Sequence, residues 1–519
     1  MNPARVHGAD TTAAADARGT ATAEARAAAA NNPRGSAAAV LLGAATVAGF
    51  APLGLYPLPF LALAGLLHLW RGAATPRRAG FLGFAFGAGL FLTGTSWIYI
   101  SLHDFGLMPA PLAVIATVAF CCILGLFPAA VGYLQARASL ASPAGRPLFI
   151  PALWMLSEWL RGWLFTGFPW LALGYSQTDS PLAGFAPLVG VFGLSWLVVQ
   201  GGALLLLAIE RRVAGLAGLA VLMAAGLGLQ QIEWTGAEGE PVSVSLLQGN
   251  IPQDMKWDEA RYAGTVELYR NLVNNSSARL TILPETAIPR FLDRIDPEFL
   301  RALDASVRAR GGDLIVGLPL REAPGRYFNS VISVGASAGQ RYDKTHLVPL
   351  GEFIPPGFGW IIKVLQIPLA DFTRGATRQA PLALAGQRIA VNICYEDAFG
   401  EEIIGALPAA TLLANVSNVA WFGDSLAPHQ HLQIAQMRSL ETGRTTLRAT
   451  NTGMTAIIDH RGRIASVLPE FTRGSLNGFA QGRSGATPYV RWGNFPVVLL
   501  AFVACGVFML RRKQPAAGA

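Results

Sequence analysis

Residues 388–397 read Arg-Ile-Ala-Val-Asn-Ile-Cys-Tyr-Glu-Asp, an apolar run that ends in a cysteine, a tyrosine and two carboxylates. The run Arg388–Ile393 predicts a strand, and a helix is predicted shortly after it, at Glu401–Leu407. A residue between a strand and a helix lies at the sheet edge, where helix-terminal N–H groups can lower a thiol pKa and bind an oxyanion. Cys394 is therefore a candidate nucleophile, and the alternative is a buried structural cysteine.

Two charged residues upstream fit the same chemistry. Glu285 follows the predicted strand Leu280–Leu283 in Leu-Pro-Glu-Thr, and Lys344 lies in Tyr-Asp-Lys-Thr-His. A thiol needs a proton acceptor, which a carboxylate in a dry pocket supplies, and a lysine cation stabilises charge on a carbonyl oxygen. Taken alone, these residue types fit a buried cysteine and two surface ion-pair partners better.

The sequence around these residues alternates between short β-rich runs and amphipathic stretches. The other predicted strands are Val242–Gln248, Asp313–Gly317, Ser330–Val334, Thr411–Asn415 and Met454–Asp459, and the other predicted helices are Asp258–Val273, Pro297–Ala309 and His429–Thr442. Strands that alternate with helices predict a layered α/β domain. Neither a GxGxxG fingerprint nor a Walker A loop occurs in the sequence.

Several strings, in chain order, resemble the nitrilase superfamily and, within it, the bacterial apolipoprotein N-acyltransferase family. They are QGNIPQD at 248–254 with Lys256-Trp257, LPET at 283–286, YDKTHLVPLGEFIP at 342–355, ICYED at 393–397, NVSNVAWFGD at 415–424, HQH at 429–431 and RSLETGR at 438–444. The superfamily resemblance implies an αββα sandwich with a Glu–Lys–Cys triad.

The resemblance implies a role for each matching residue. Cys394 would be the nucleophile, Glu285 the general base and Lys344 the oxyanion stabiliser, with Glu352 orienting the lysine. Tyr395 and Glu396 match positions beside the nucleophile, and the Tyr395 N–H would help to bind the oxyanion. Trp257 matches a tryptophan near the site. For Trp257 and Glu396, plain packing or a surface pair is an equal alternative.

The implied reaction is acyl transfer in two steps. Cys394 takes an acyl group from a membrane phospholipid as a thioester, and the α-amino group of a diacylglyceryl-cysteine at an apolipoprotein N-terminus then receives it. The resemblance implies neither a metal nor an organic cofactor. His429 and His431 are two residues apart, so they do not share a helix face, and zinc is not expected. We expect a monomer.

One expectation goes beyond the motifs. Residues Phe353–Ala370 carry a single charge, Lys363, inside an otherwise polar domain. We predict a lid there that dips into the bilayer surface, with Trp360 and Ile361 at its apolar centre, and a similar lipid-facing role for Trp421 and Phe422. The alternative is a buried loop of the sandwich.

The rest of the chain predicts a membrane protein. Apolar residues make up 52% and charged residues 14%, and mean hydropathy is +0.40. The net charge of +8 comes from scattered arginines without a Lys/Arg-rich run, so nucleic acid is not an expected partner. Eight apolar stretches are candidate spans, at about 37–50, 56–70, 79–102, 110–134, 148–165, 183–209, 213–229 and 495–510.

Charge asymmetry predicts the orientation of these spans. Basic residues lie in alternate connections, at Arg71, Arg77, Arg78, Arg137, Arg146, Arg211, Arg212, Arg511, Arg512 and Lys513. We therefore predict a bacterial inner-membrane protein with both termini in the cytoplasm and the catalytic domain in the periplasm. The predicted divisions are a disordered tail at 1–36, seven helices at 37–231, a nitrilase-like domain at 232–492, and a helix with a basic tail at 493–519.

Two charged residues lie inside a predicted span. Glu158 and Arg161 are three residues apart there, which favours an ion pair.

Two other functions are open on the sequence. A membrane-tethered nitrilase-type amidase would use the same triad with water as acceptor. A non-catalytic transporter or scaffold is the second alternative, although no internal repeat is visible.

Overall fold

The computed structural model describes residues 33–139, 146–211, 213–354 and 371–511. The predicted tail up to residue 32 and the predicted lid residues Trp360 and Ile361 lie outside these ranges. Helices dominate the part before residue 230, strands dominate from there to residue 484, and one further long helix follows.

Among the described residues before 230, seven long helices form the first part of the chain. They are α1 Pro33–Thr46, α2 Leu58–Arg71, α3 Pro76–Gly94, α4 Ala110–Ser139, α5 Arg146–Arg161, α6 Ala186–Arg211 and α7 Val213–Leu229. The described part of α1 starts at Pro33, four residues before the predicted start of the first span. Glycines let these helices approach closely: a Cβ on Gly83 would lie 2.2 Å from the Pro128 carbonyl oxygen.

Two of the described helices, Ala110–Ala138 and Pro181–Glu210, are long and apolar enough to cross a membrane. A third span results if Pro76–Gly94 and Ile98–Phe105, which meet at 59°, count as one. Leu58–Arg71, Val213–Leu229 and Phe495–Met509 are shorter apolar helices. These lengths do not confirm the predicted count of eight spans.

The predicted span 79–102 is bent, because the helix breaks after Gly94. The Gly94 carbonyl accepts hydrogen bonds from the side chains of Trp97 and Gln430, at 3.1 and 3.0 Å. A carbonyl occupied in this way supports the end of a helix rather than its continuation.

Within its described residues, the second part contains fourteen strands and three long helices. The strands are β1 Gly236–Ala237, β2 Val242–Gln248, β3 Leu280–Ile282, β4 Asp313–Ala323, β5 Arg326–Gly335, β6 Arg341–Asp343, β7 Leu382–Leu384, β8 Gln387–Ile393, β9 Leu412–Ser417, β10 Thr445–Thr450, β11 Thr455–Ile458, β12 Ile464–Leu468, β13 Gly474–Ala480 and β14 Arg483–Ser484. The helices are α8 Glu259–Asn274, α9 Pro297–Ala309 and α10 Ala427–Thr442, and α11 Phe495–Arg511 ends the described chain.

Two six-stranded sheets carry the fold of this part. Their strand orders are β12-β11-β10-β9-β8-β7 and β13-β2-β3-β4-β5-β6, and β1 pairs separately with β14. Apolar side chains of both sheets, including Leu246, Ile282, Ile393 and Val416, share one buried cluster. A second cluster packs α8 and α9 against the outer face of one sheet, and α10 covers the other. This is the αββα arrangement that the resemblance implies.

Candidate active site

Parallel strands bring the candidate nucleophile, Cys394, to one sheet edge. β8 pairs in parallel with β9, and β9 with β10, so their carboxyl ends meet there. Cys394 follows the last residue of β8 and begins a 3₁₀ helix, Cys394–Ala398. Its φ is +55°, a left-handed conformation that non-glycine residues adopt at a cost. The thiol is buried among apolar side chains of both sheets.

A buried lysine joins two carboxylates beside this edge. Lys344 Nζ lies 2.9 Å from Glu352 Oε1 and 3.3 Å from Glu285 Oε1, and the side chain is only 1% exposed. A lysine ammonium has three N–H donors, so one remains without an acceptor among the described residues. The three predicted residues Glu285, Lys344 and Glu352, far apart in sequence, thus form one cluster.

The charges in this cluster set each other's protonation. Burial alone would lower the pKa of Lys344, but Glu285 and Glu352 outweigh it and hold that pKa above its ordinary value. Burial would raise the pKa of Glu285, but Lys344, Lys256 and hydrogen bonds outweigh it and hold that pKa below its usual range. Both groups are therefore charged at neutral pH.

The same surroundings favour the neutral form of the Cys394 thiol. Burial and the Glu285 carboxylate raise the pKa of Cys394 well above its ordinary value, although Lys344 lowers it. The sequence indicated that helix N–H groups can lower this pKa, and any such contribution is outweighed here. The thiol is therefore protonated at neutral pH, and as a nucleophile it would need a base at the moment of attack.

Asn329 is a member of the cluster that sequence reasoning missed. This residue of β5 donates from Nδ2 to Glu285 Oε1 at 2.7 Å and to Glu352 Oε1 at 2.8 Å. The other oxygen of Glu285 accepts from the Asn418 N–H at 2.8 Å. A mid-strand asparagine has no motif of its own, so only its alternation with the apolar residues of β5 could have suggested it.

Lys256, which precedes Trp257 in one of the motifs, is a second residue of the site that the sequence did not predict. Its Nζ donates to the Glu285 backbone carbonyl at 3.1 Å, and the side chain is buried. Burial lowers its pKa to about 8, against the raising effect of Glu285 and Cys394. Lys256 thus supports the backbone of the candidate base.

Glu396 connects the 3₁₀ helix Cys394–Ala398, called the nucleophile turn below, to the loop that follows Lys344. Its Oε2 accepts from the Ile393 N–H at 2.6 Å and the Tyr342 hydroxyl at 3.0 Å. Its Oε1 accepts from the N–H groups of Thr345 and His346, at 2.6 and 3.0 Å. Burial raises the pKa of Glu396 to about 7, although these N–H groups lower it. The structure therefore places Glu396 as a clamp behind the site.

Tyr395 faces the helical part of the chain. Its hydroxyl donates to the Gly167 carbonyl at 2.9 Å, and its ring packs near Trp170 and Phe399. Trp257, by contrast, is 37% exposed beside the buried Lys256.

Trp421 and Phe422 are both half-buried, at the junction with the helices. Trp421 packs near Phe105, and Phe422 packs 4.6 Å from the Trp97 ring. The Trp421 carbonyl accepts from the Ser101 hydroxyl at 2.7 Å.

Glu158 and Arg161 attract each other electrostatically, but no direct salt bridge joins them in the described part of the chain. Both side chains bind the same loop. Arg161 donates to the carbonyls of Phe168 and Trp170, each at 2.6 Å. Glu158 accepts from the N–H of Leu173 at 3.1 Å. The loop that carries Gly167 is thereby held against Tyr395.

The two histidines bind different carboxylates. His429 lies 3.3 Å from Glu470, and His431 lies 2.7 Å from Asp397. Across the described ranges, no group of three or more His, Cys, Asp or Glu side chains is arranged to hold a metal ion.

Both parts of the chain match known protein families. Residues 42–204 match the Apolipoprotein N-acyltransferase N-terminal domain, and residues 243–480 match the Carbon-nitrogen hydrolase family.

Proteins that are similar to most of this chain are named apolipoprotein N-acyltransferases. An apolipoprotein N-acyltransferase of Nitrosomonas europaea is 54% identical over 91% of this chain and 96% of its own length. One of Methylococcus capsulatus is 46% identical over 90% of this chain and 94% of its own. Among solved structures, the NitFhit protein of C. elegans is similar with a TM-score of 0.38 and 16% identity, over 49% of this chain and 63% of that one.

Proposed function

The chain belongs to the apolipoprotein N-acyltransferase family, and from this premise we propose that it transfers a fatty acyl group from a membrane phospholipid to the N-terminal amino group of apolipoproteins. The observation that carries the mechanism is Lys344, buried between Glu285 and Glu352 beside the Cys394 thiol. The amidase alternative is not favoured, because relatives that match nine-tenths of the chain carry the acyltransferase name.

In the first step Cys394 takes the acyl group. Glu285 accepts the thiol proton as sulfur attacks the ester carbonyl carbon, and the free N–H of Lys344 binds the oxyanion together with the Tyr395 N–H. When the tetrahedral intermediate collapses, the glycerol oxygen leaves and takes the proton back from Glu285. A thioester on Cys394 and a lysophospholipid result.

In the second step the acceptor amine attacks the thioester. The neutral α-amino group of the diacylglyceryl-cysteine forms the new C–N bond, and its extra proton goes to Glu285. The Cys394 thiolate leaves and recovers that proton, so an amide and the resting enzyme are formed. All of these groups belong to one chain, and we propose that the protein acts as a monomer.

A two-substrate assay tests this function. Full-length protein in mixed micelles with phosphatidylethanolamine and a synthetic diacylglyceryl peptide should give the N-acylated peptide and a lysophospholipid in equal amounts. Cys394→Ala should give neither. Release of free fatty acid without acylated peptide would contradict the transferase.

We also propose eight spans, with the catalytic domain in the periplasm and both termini in the cytoplasm. The support is the basic residues in alternate connections, such as Arg77 and Arg78, against Glu233, Glu238 and Glu240 beyond α7. The shorter apolar helices would then span with neighbouring loop residues.

Impermeant thiol labelling tests this topology. In a protein whose four cysteines are replaced, Glu240→Cys and Arg77→Cys each present one exposed thiol. In intact spheroplasts we expect a charged maleimide to label Glu240→Cys alone, and lysis should make Arg77→Cys equally reactive. Labelling of Arg77→Cys before lysis would contradict the orientation.

A further inference from the structure

The conformation of the nucleophile needs support from its surroundings. A residue with φ of +55° and a side chain on Cβ is strained, and this conformation persists only when neighbouring contacts fix it. The contacts that fix Cys394 are made by its backbone carbonyl. Asn415 Nδ2 donates to that carbonyl at 3.1 Å, and His431 Nε2 lies 3.3 Å from it.

Each of these two donors is fixed in turn. Asn415 Oδ1 accepts from Arg448 Nη1 and from the Ser417 hydroxyl, both at 2.6 Å, which leaves Nδ2 as the group that donates to Cys394. We call Asn415, His431, Asp397 and Arg448 the carbonyl anchor.

The proton of His431 is also defined by its neighbours. Nε2 faces two acceptors, Asp397 Oδ1 at 2.7 Å and the Cys394 carbonyl, so Nε2 carries the hydrogen. Nδ1 has no partner among the described residues. Asp397 also accepts from Arg448 Nη1 at 3.0 Å, which joins both branches of the carbonyl anchor.

The carbonyl anchor joins four elements and is fully buried. Asp397 lies in the nucleophile turn, Asn415 in β9, Arg448 in β10 and His431 in α10, and none of them is more than 1% exposed. A buried carboxylate with cationic partners is no more stable than well-packed apolar side chains, so stability alone does not require this arrangement.

The geometry of the peptide group connects the carbonyl anchor to catalysis. In a trans peptide the C=O and N–H bonds point to opposite sides. When the Cys394 carbonyl points into the carbonyl anchor, the N–H of Tyr395 points away from it. Tyr395 is the second residue of the 3₁₀ helix, where N–H groups have no intrahelical acceptor.

We propose that the carbonyl anchor aims the Tyr395 N–H at the oxyanion of the acyl-transfer intermediate, with His431 and Asn415 as positioning residues. The inference rests on the proposed function, because it assigns a task to the same site. Arg448 and Asp397 hold the two donors in place.

Two reactions of Cys394 distinguish positioning of the Tyr395 N–H from a purely structural role of the carbonyl anchor. Acylation by phosphatidylethanolamine in mixed micelles forms an oxyanion, whereas alkylation by iodoacetamide does not. Intact and peptide mass spectrometry follow both reactions on the full chain. For His431→Phe we expect about 10- to 100-fold slower acylation, less than the loss of a whole oxyanion donor, with alkylation within about twofold of the parent.

Conservative and control variants complete the test. His431→Gln keeps a donor near Nε2 and should acylate within about threefold of the parent. His429→Phe, at the surface of the same helix, should match the parent. Asn415→Ala removes the other donor and should repeat the selective loss if His431→Phe does not fold.

Two outcomes would overturn the inference by itself. One is acylation by His431→Phe at the parent rate, and the other is an equal fall of acylation and alkylation in both anchor variants. Absence of any adduct on the parent protein would instead overturn the proposed function, and the inference with it.

Discussion

At the scale of single residues, the site separates a charged pair from a neutral thiol. Lys344 and Glu285 stabilise each other's charge, while burial and Glu285 keep Cys394 protonated. In the proposed mechanism the proton moves only when the forming C–S bond and the oxyanion contacts offset the cost of a buried thiolate. Such a site would restrain the thiol from side reactions until substrate is bound.

Replacing Glu285 with Gln should speed alkylation of Cys394 by iodoacetamide but slow its acylation by phospholipid. Because the carboxylate raises the pKa of Cys394, its removal should lower that pKa and speed alkylation by iodoacetamide at pH 8. Acylation by phospholipid should fall by about 10²- to 10⁴-fold, since the base is lost. The measurement is both rates by mass spectrometry from pH 6 to 9.

Glu267→Gln, on the exposed face of α8, is the matched control and should leave both rates unchanged. Slower alkylation of Glu285→Gln across the whole pH range would contradict the electrostatic account of the thiol.

Sequence reasoning reached these residues unevenly. Glu285, Lys344 and Cys394 follow strands within distinctive strings, so their order along the chain selected them. Asn329 and Asn415 lie inside strands, and His431 lies inside a helix, where a polar residue is unremarkable until its partners are known. Their contacts join residues 21 to 44 positions apart, and nothing local predicts such pairs.

At the scale of elements, Glu396 holds two loops together. Its carboxylate binds N–H groups on both sides of the site, from Ile393 and from Thr345 and His346. The position of Lys344 relative to Cys394 therefore depends on one buried side chain, which packing alone would not require.

Glu396→Gln should destabilise the protein in a pH-dependent manner. An amide leaves one buried N–H or hydroxyl unpaired, which costs roughly 1–3 kcal/mol. Because burial raises the pKa of Glu396 to about 7, the folded parent binds a proton that the unfolded chain has lost above about pH 4.3. The parent should therefore lose stability as pH rises from about 4.5 to about 7, and Glu396→Gln should lack this loss.

Thermal unfolding of both proteins at pH 5, 6, 7 and 8 checks this. The gap between them should be largest at pH 5 and narrow towards pH 7. A gap that does not change with pH would show that Glu396 does not titrate in this window.

Prediction at the element scale succeeded where the pattern was strong. The apolar runs of β2 and β8 and the amphipathic α9 lie within a residue of their predicted bounds. β6 and β7 have only three residues each, β12 is largely exposed and β13 is mostly half-buried, so they give little periodic signal. The break in the span 79–102 depends on Gln430, more than 300 residues away, which no local pattern encodes.

At the scale of the whole molecule, buried contacts join the catalytic part to the helices. Gln430 accepts from the indole N–H groups of Trp97 and Trp170, at 3.3 and 2.7 Å, and donates to the Gly94 carbonyl. Glu441 accepts from the Val191 N–H at 2.8 Å, and Tyr395 binds Gly167. The nucleophile is thereby held at a fixed place relative to the helices, as a lipid-acylating site requires.

Gln430→Leu tests this junction. It would leave the indole N–H of Trp170 buried without a partner, at roughly 1–3 kcal/mol if nothing relaxes, while the Trp97 indole still donates to the Gly94 carbonyl. We expect thermal unfolding at a clearly lower temperature and slower acylation by phospholipid. Gln231→Leu, at the exposed end of α7, should behave as the parent does, and equal melting of the two variants would contradict a rigid junction.

The central claim is the thioester on Cys394, and intact-protein mass spectrometry after incubation with phospholipid tests it most directly. The account predicts an acyl adduct on the parent that hydroxylamine removes, no adduct on Cys394→Ala, and discharge of the adduct by a diacylglyceryl peptide as an N-acyl product. An adduct of equal size on Cys394→Ala, or one that only water discharges, would contradict it.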